Sequence, residues 1–144
     1  MQTMLDYEVV VIGGGPAGAT AANDLALAGR RVLLVDKAGR IKPCGGAIPP
    51  RAIGDFEIPD EMLVAKIRCA RMVSPSDKKV DIPIENGFVG MVDRGPFDEW
   101  LRCRAQSNGA RRLIGRFESL HETTMACRSS SWCAIMSTTQ PSAR

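Results

Sequence analysis

Residues 7–36, YEVVVIGGGPAGATAANDLALAGRRVLLVD, constrain this chain more than any other stretch. The run 7–12 is short, apolar and ends on glycine, which predicts a buried parallel strand. Three glycines follow. Pro16 suits the first position of a helix whose Ala- and Leu-rich body runs to a natural stop at Gly29. Residues 31–36, RVLLVD, predict a second buried strand ending on an acid. Strand, glycine turn, helix and strand in about thirty residues predict an α/β fold built on a Rossmann-like unit.

The spacing of the glycines carries chemistry. Gly13, Gly15 and Gly18 fit GxGxxG between strand and helix. Gly13 allows the tight turn, Gly15 lets the backbone approach a pyrophosphate, and Gly18 lets the helix pack close to the strand. Gly14 and Ala17 belong to the same candidate phosphate site, where the helix N-terminus offers N–H groups and a positive dipole end. Asp36, with Lys37 beside it, ends the second strand, where a carboxylate accepts hydrogen bonds from ribose hydroxyls. It would repel the 2′-phosphate of NADP, so this site suits FAD or NAD. Strand, helix and acid are all in place, which favours dinucleotide binding over a structural glycine turn.

Beyond Asp36 the chain is loop-like from 37 to 59, rich in Gly and Pro. Residues 67–75 and 78–84 predict a hairpin, and 87–93 a further strand. A helix is expected from near Pro96, with Phe97, Trp100, Leu101 and Ala105 on one face, ending by Gly109. Residues 111–120 predict another strand. The 144 residues allow one domain, and 44% hydrophobic with 24% charged residues is ordinary for a soluble protein. The charge of +3 comes with no basic patch interleaved with aromatics, so no nucleic-acid partner is expected. Five cysteines without a CxxC pair, and one histidine, argue against a metal site. Cys69 and Cys103 read as buried filler and His121 as a strand-end polar residue. The odd cysteine count, without a targeting segment, predicts a cytoplasmic protein with reduced thiols. No apolar run approaches the ~20 residues of a membrane-spanning helix.

After Thr124 the character changes. Residues 126–144 hold five Ser, two Thr, two Cys and a Trp, with no acid and no periodicity. Residues 1–125 are therefore expected to form the N-terminal part of a cofactor-binding domain. Residues 126–144 are expected to be a tail foreign to it, disordered or produced by a shifted reading frame.

Two further segments carry a family resemblance. MVDRGPFDEWLRCRA (91–105) places an arginine just before a helix opening Phe-Asp-x-x-Leu, and so resembles the p-hydroxybenzoate-hydroxylase-like flavoproteins. That resemblance implies that Arg94 reaches back toward FAD. KPCGGAIPPRAI (42–53), with VDIPIENGFVGMVDR (80–94), is similar to geranylgeranyl reductase of chlorophyll and bacteriochlorophyll biosynthesis over residues 5 to 120. The family implies an FAD enzyme that uses NADPH to saturate a geranylgeranyl chain to phytyl. The chain is carried on (bacterio)chlorophyllide or on the free diphosphate. Gly45 and Gly46 would let the loop backbone approach a flat ring. Cys44 could supply or relay the proton that accompanies hydride from reduced flavin, against the blander role of an inert filler. A water-insoluble substrate implies peripheral association with a photosynthetic membrane.

Family members run to several hundred residues, with a later Gly-Asp flavin segment and a substrate domain that do not occur here. The fold is thus expected to be incomplete relative to the family, and the chain inactive or unstable alone. Two other readings compete. One is another flavin monooxygenase of the same class, a hydroxylase or halogenase, which would not be expected to carry KPCGGAIPP. The other is a non-catalytic nucleotide-binding module.

Overall fold

The computed structural model describes residues 7–37, 43–123 and 131–137, with backbone alone at 121–123 and 131–137. The chain forms two compact units, one of residues 1–40 with 98–144 and one of residues 41–97.

In the first unit, β1 (Val9–Ile12), α1 (Pro16–Leu27) and β2 (Val32–Asp36) form the expected βαβ. β2 is central in a parallel sheet of order β1-β2-β8, where β8 is Arg111–Ile114. Val9 pairs with Val32 and Leu33 with Arg111. The core gathers Ala22 of α1, Val32 and Leu34 of β2, then Ala105 and Ala110, with Val11, Leu25 and Ala26 packed against it. Alanine at 22 and 105 keeps side chains short where helices meet the sheet, and both are fully buried. Asn108 donates to Asn23 Oδ1 at 2.7 Å, linking α1 to the chain after α3 (Arg94–Ser107). β2 is buried as its apolar run predicts. β1 departs from expectation: Val10 and Ile12 are exposed, and only Val9 and Val11 are partly covered. Among the described residues β2 is the one strand neighbour of β1, which leaves β1 at the edge, and an apolar run alone does not reveal that.

Both long helices stop on the same device. Gly29 N–H donates to Ala26 O and Arg30 N–H to Leu25 O, while Gly109 donates to Gln106 O and Ala110 to Ala105 O. These paired bonds satisfy the last carbonyls, and the left-handed glycine makes the reversal. Phe97, Leu101 and Ala105 are buried, as the period predicts, but Trp100 is half-buried, with the Arg104 guanidinium 4.7 Å over its ring.

The expected strand 111–120 is two strands. It breaks at Gly115, whose N–H bonds Asp36 O, and β9 (Arg116–Thr123) leaves the parallel sheet. β9 pairs antiparallel with β10 (Ser131–Ser137). Of the two alternatives expected for residues 126–144, disorder does not hold over 131–137, while a tail foreign to the domain is compatible with this pairing. A strand needs only a backbone partner, and β9 provides one that composition does not reveal. The rest of that tail lies outside the described residues.

In the second unit, β7 (Val89–Met91) lies between β3 (Ala47–Ile48) and β4 (Ala65–Ile67), antiparallel to both. The loop expected over 37–59 contains β3 and the helix α2 (Pro50–Asp55). Pro49 is extended, while Pro50 opens the helix, because its fixed φ and missing N–H are tolerated in a first turn. Gly90 lies under Ile53 and Leu63, where a Cβ would come within 2.9 Å of both side chains. The expected hairpin is present as β5 (Cys69–Val73) and β6 (Lys79–Pro83), with Arg71 gripping Asp81 at 2.6 and 2.8 Å. No helix among the described residues is long and apolar enough to cross a membrane.

Candidate cofactor site

The glycine turn joins β1 to α1 in the first unit. Gly13 takes φ +105°, which admits glycine readily, and its N–H donates to Val35 O at 2.8 Å, laying the turn on β2. A Cβ on Gly18 would sit 1.9 Å from Gly13 O, so α1 meets the turn with no room for a side chain. Gly15 precedes the helix with φ −73°, and a Cβ there would meet nothing within 4 Å. No side chain caps α1, and its first turn, which includes exposed Ala17, carries no acid. Open space over Gly15 and an uncapped helix start are the two features that phosphate binding by backbone N–H groups requires.

Asp36 faces this turn. Its Oδ1 accepts the Gly14 N–H at 3.0 Å, and its side chain keeps 21% of its surface exposed. A Cβ on Gly14 would lie 2.9 Å from Cβ and Cγ of Asp36 and from Cδ of Arg102. Lys37 follows the strand and is exposed.

Sequence reasoning missed what holds Asp36. Arg102 Nη1 donates to Gly14 O at 2.9 Å and to Asp36 Oδ2 at 3.3 Å, while its Nε donates to Glu99 Oε2 at 3.0 Å. Arg112 on β8 grips the same Glu99 at 2.5 and 2.9 Å. Hydrogen bonds from Arg112 first, and then Arg102, outweigh partial burial and push the Glu99 carboxyl down to about 2. The Glu99 carboxylate in turn raises the Arg112 guanidinium. Spacing on α3 does place Glu99 and Arg102 on adjacent turns, but nothing in the sequence aims them at Asp36. Cys103, expected as buried filler, is exposed and donates to Glu99 Oε1 at 3.6 Å. Cys69 is exposed too, because β5 has no covered face. The side chain of His121 lies outside the described residues.

The KPCGGAIPP loop belongs to the second unit. Gly46 is buried at φ +70°, its carbonyl accepts the Val92 N–H at 2.9 Å, and a Cβ there would come 2.2 Å from Val92 O. Glycine at 46 thus pins the loop to the end of β7. Gly45 is exposed with open space where a Cβ would stand, and Cys44 is exposed beside it. Two residues past Val92, half-buried Arg94 opens α3. Asp93 Oδ1 accepts the Gly95 N–H at 3.1 Å and caps that helix.

The family model for pyridine nucleotide-disulphide oxidoreductases matches residues 7–115, well over half of the chain. The chain belongs to that family. Within this oxidoreductase family its relatives agree with the resemblance drawn from KPCGGAIPP and VDIPIENGFVGMVDR. Geranylgeranyl diphosphate reductase of Rhodobacter capsulatus is 68% identical over 111 residues, covering 77% of this chain and 28% of the relative. The chloroplastic geranylgeranyl diphosphate reductase of Arabidopsis thaliana is 42% identical over 113 residues, covering 76% and 24%. The chain thus spans about a quarter of the length of these curated relatives. Among solved structures, a geranylgeranyl bacteriochlorophyll reductase-like protein from Thermoplasma acidophilum superposes with TM-score 0.74 at 26% identity, covering 81% of this chain and 32% of that one. A flavin-dependent brominase shares the fold, with TM-score 0.69 at 20% identity over 91% of this chain and 36% of the brominase.

Proposed function

We propose that this chain carries the FAD-binding part of a reductase that saturates a geranylgeranyl chain to phytyl, with NADPH as reductant. The observation that carries the reading is the open glycine turn with Asp36 bonded to it, in a chain 68% identical to a geranylgeranyl diphosphate reductase. In this reading the N–H groups at Gly15 and Ala17 receive the pyrophosphate, and Gly13, Gly14 and Gly18 shape the turn around it. Asp36 accepts the ribose hydroxyls, with Lys37 alongside. In the second unit, exposed Gly45 lets the loop backbone approach the flavin while Gly46 anchors that loop at Val92, Arg94 turns toward the cofactor, and Cys44 delivers or relays a proton. Bound FAD, reduced by NADPH, supplies the hydride.

The substrate of this reading is geranylgeranylated (bacterio)chlorophyllide or geranylgeranyl diphosphate. Peripheral attachment to a photosynthetic membrane belongs to the same proposal, supported by the chloroplastic relative. So does the division at residue 125, supported by a family match that ends at 115. The brominase likeness, at 20% identity, is one of fold and lends the monooxygenase reading nothing more.

The test places this chain's 111 matched residues in the Rhodobacter capsulatus reductase in place of that protein's own, incubates the purified chimera anaerobically with FAD, NADPH and each prenyl substrate, and reads product mass. Gain of two hydrogens per double bond, without need of oxygen, is the expected result. Cys44→Ser should slow that step while leaving FAD affinity unchanged. A chimera that leaves FAD unbound, or a product that acquires oxygen or halogen only under air, overturns the proposal.

A further inference from the structure

We propose that Arg102 is the positioning residue for the adenosine end of the cofactor site, holding the glycine turn and Asp36 as one rigid acceptor surface. This rests on the FAD reading above and names a residue that the GxGxxG spacing does not contain.

Both polar groups of Gly14 are occupied. Its N–H goes to Asp36 Oδ1 and its C=O receives Arg102 Nη1, so the peptide planes on either side of Gly14 are fixed by one carboxylate and one guanidinium. The Asp36 carboxylate is held at both oxygens, Oδ1 by Gly14 and Oδ2 by Arg102. Each oxygen retains a further lone pair, so the carboxylate is oriented but can still accept ribose hydroxyls. Side-chain exposures of 15% for Arg102 and 21% for Asp36 place the pair largely out of water, where screening is weak.

Arg102 is itself braced. Glu99 takes its Nε, and Arg112, from the strand next to β2, grips both oxygens of Glu99. The sequence Arg112, Glu99, Arg102, Asp36 alternates in sign and sums to zero, so the set can be partly buried without a net charge to desolvate. A bridge that only fastened α3 to the sheet would need the Asp36 bond alone. The bond to the Gly14 carbonyl acts on the turn itself.

FAD and FMN separate the adenosine end from the flavin end, since FMN has no adenosine ribose for Asp36. In the full chain, Arg102→Met should weaken FAD about tenfold, the worth of a charge-assisted bond, while FMN affinity stays within about twofold. Exchange of the Gly14 amide, followed by NMR without flavin, should quicken about tenfold while that of Leu34 in the core of β2 stays unchanged. Arg102→Lys, which keeps the charge but loses the fork, should recover part of the FAD affinity and is read in the same way if the Met variant does not fold. Equal losses of FAD and FMN, or unaltered Gly14 exchange, overturn the inference. A wild-type chain that binds neither flavin overturns the cofactor reading instead, and the Gly14 exchange rate then decides alone whether Arg102 holds the turn.

Discussion

Gly15 and Gly18 stand three positions apart in one motif, yet substitution should separate them. A methyl on Gly18 collides with the Gly13 carbonyl, and backbone cannot swing aside as a side chain could. Gly18→Ala is therefore expected to cost about 1–3 kcal/mol of stability by chemical denaturation. A methyl on Gly15 meets open space at an ordinary φ, so Gly15→Ala should leave stability within about 0.5 kcal/mol while weakening FAD, because it fills the cradle. Equal stability losses in the two variants would contradict this division of labour. Glu99 supports a pH prediction. Its folded pKa, about 2, lies below the ordinary carboxylate value of 4.5, so the unfolded chain binds its proton first. The contribution is fully present above about pH 4.5 and disappears as pH falls through about 2. Glu99→Gln should cost about 0.5–1 kcal/mol at neutral pH, given a side chain 46% exposed, and the difference from wild type should shrink between pH 4.5 and 2. A difference independent of pH would assign the stabilisation elsewhere. The glycine roles are readable as spacing because they are local. Arg102 is not: in LRCRA it resembles Arg104, and only the fold sends one guanidinium to Asp36 and the other over Trp100.

Elements show the same contrast between local and distant causes. β1, α1 and β2 follow from two apolar runs, a proline and a C-terminal glycine, all of which act on their own neighbourhood. The hairpin β5–β6 follows from two strand-like runs joined by a short turn. By contrast, α2 and β3 hide in a stretch where Gly and Pro suggest loop, since Pro50 reads as a breaker until it occupies a first helical turn. The pairing of β9 with β10 depends on a partner chosen by the fold. The sequence sets the start of α3 near Pro96, two residues late, because Asp93, which caps the helix, closes the strand-like run 87–93. That cap can be tested directly. Asp93→Ala removes the acceptor for the Gly95 N–H and should cost about 1 kcal/mol in chemical denaturation, with Asp93→Asn recovering most of it. An Asn variant no better than Ala would mean that the hydrogen bond does not support the helix.

Across the whole molecule, apolar surface is unevenly covered. The β5–β6 register sets Ala70 opposite Ile82 and Met72 opposite Val80, so these four share one face, while Arg71 and Asp81 pair on the other. Every residue of both strands is exposed, with Met72 at 60%, Val80 at 61% and Ile82 at 49%. Such a face is held by its ladder and by the Arg71–Asp81 pair, with little contribution from burial, and it presents apolar area to water. The sequence predicts the hairpin; which residues share this face, and that it is uncovered, follow only from the fold. Replacing Met72 and Val80 together by threonine keeps strand propensity and removes apolar surface. The melting temperature of the double variant should stay within about 2 °C of wild type, because little burial is lost. Its concentration threshold for aggregation, followed by light scattering, should rise. A fall of more than about 5 °C would mean that the two side chains are buried in solution, and the exposed face would have to be abandoned.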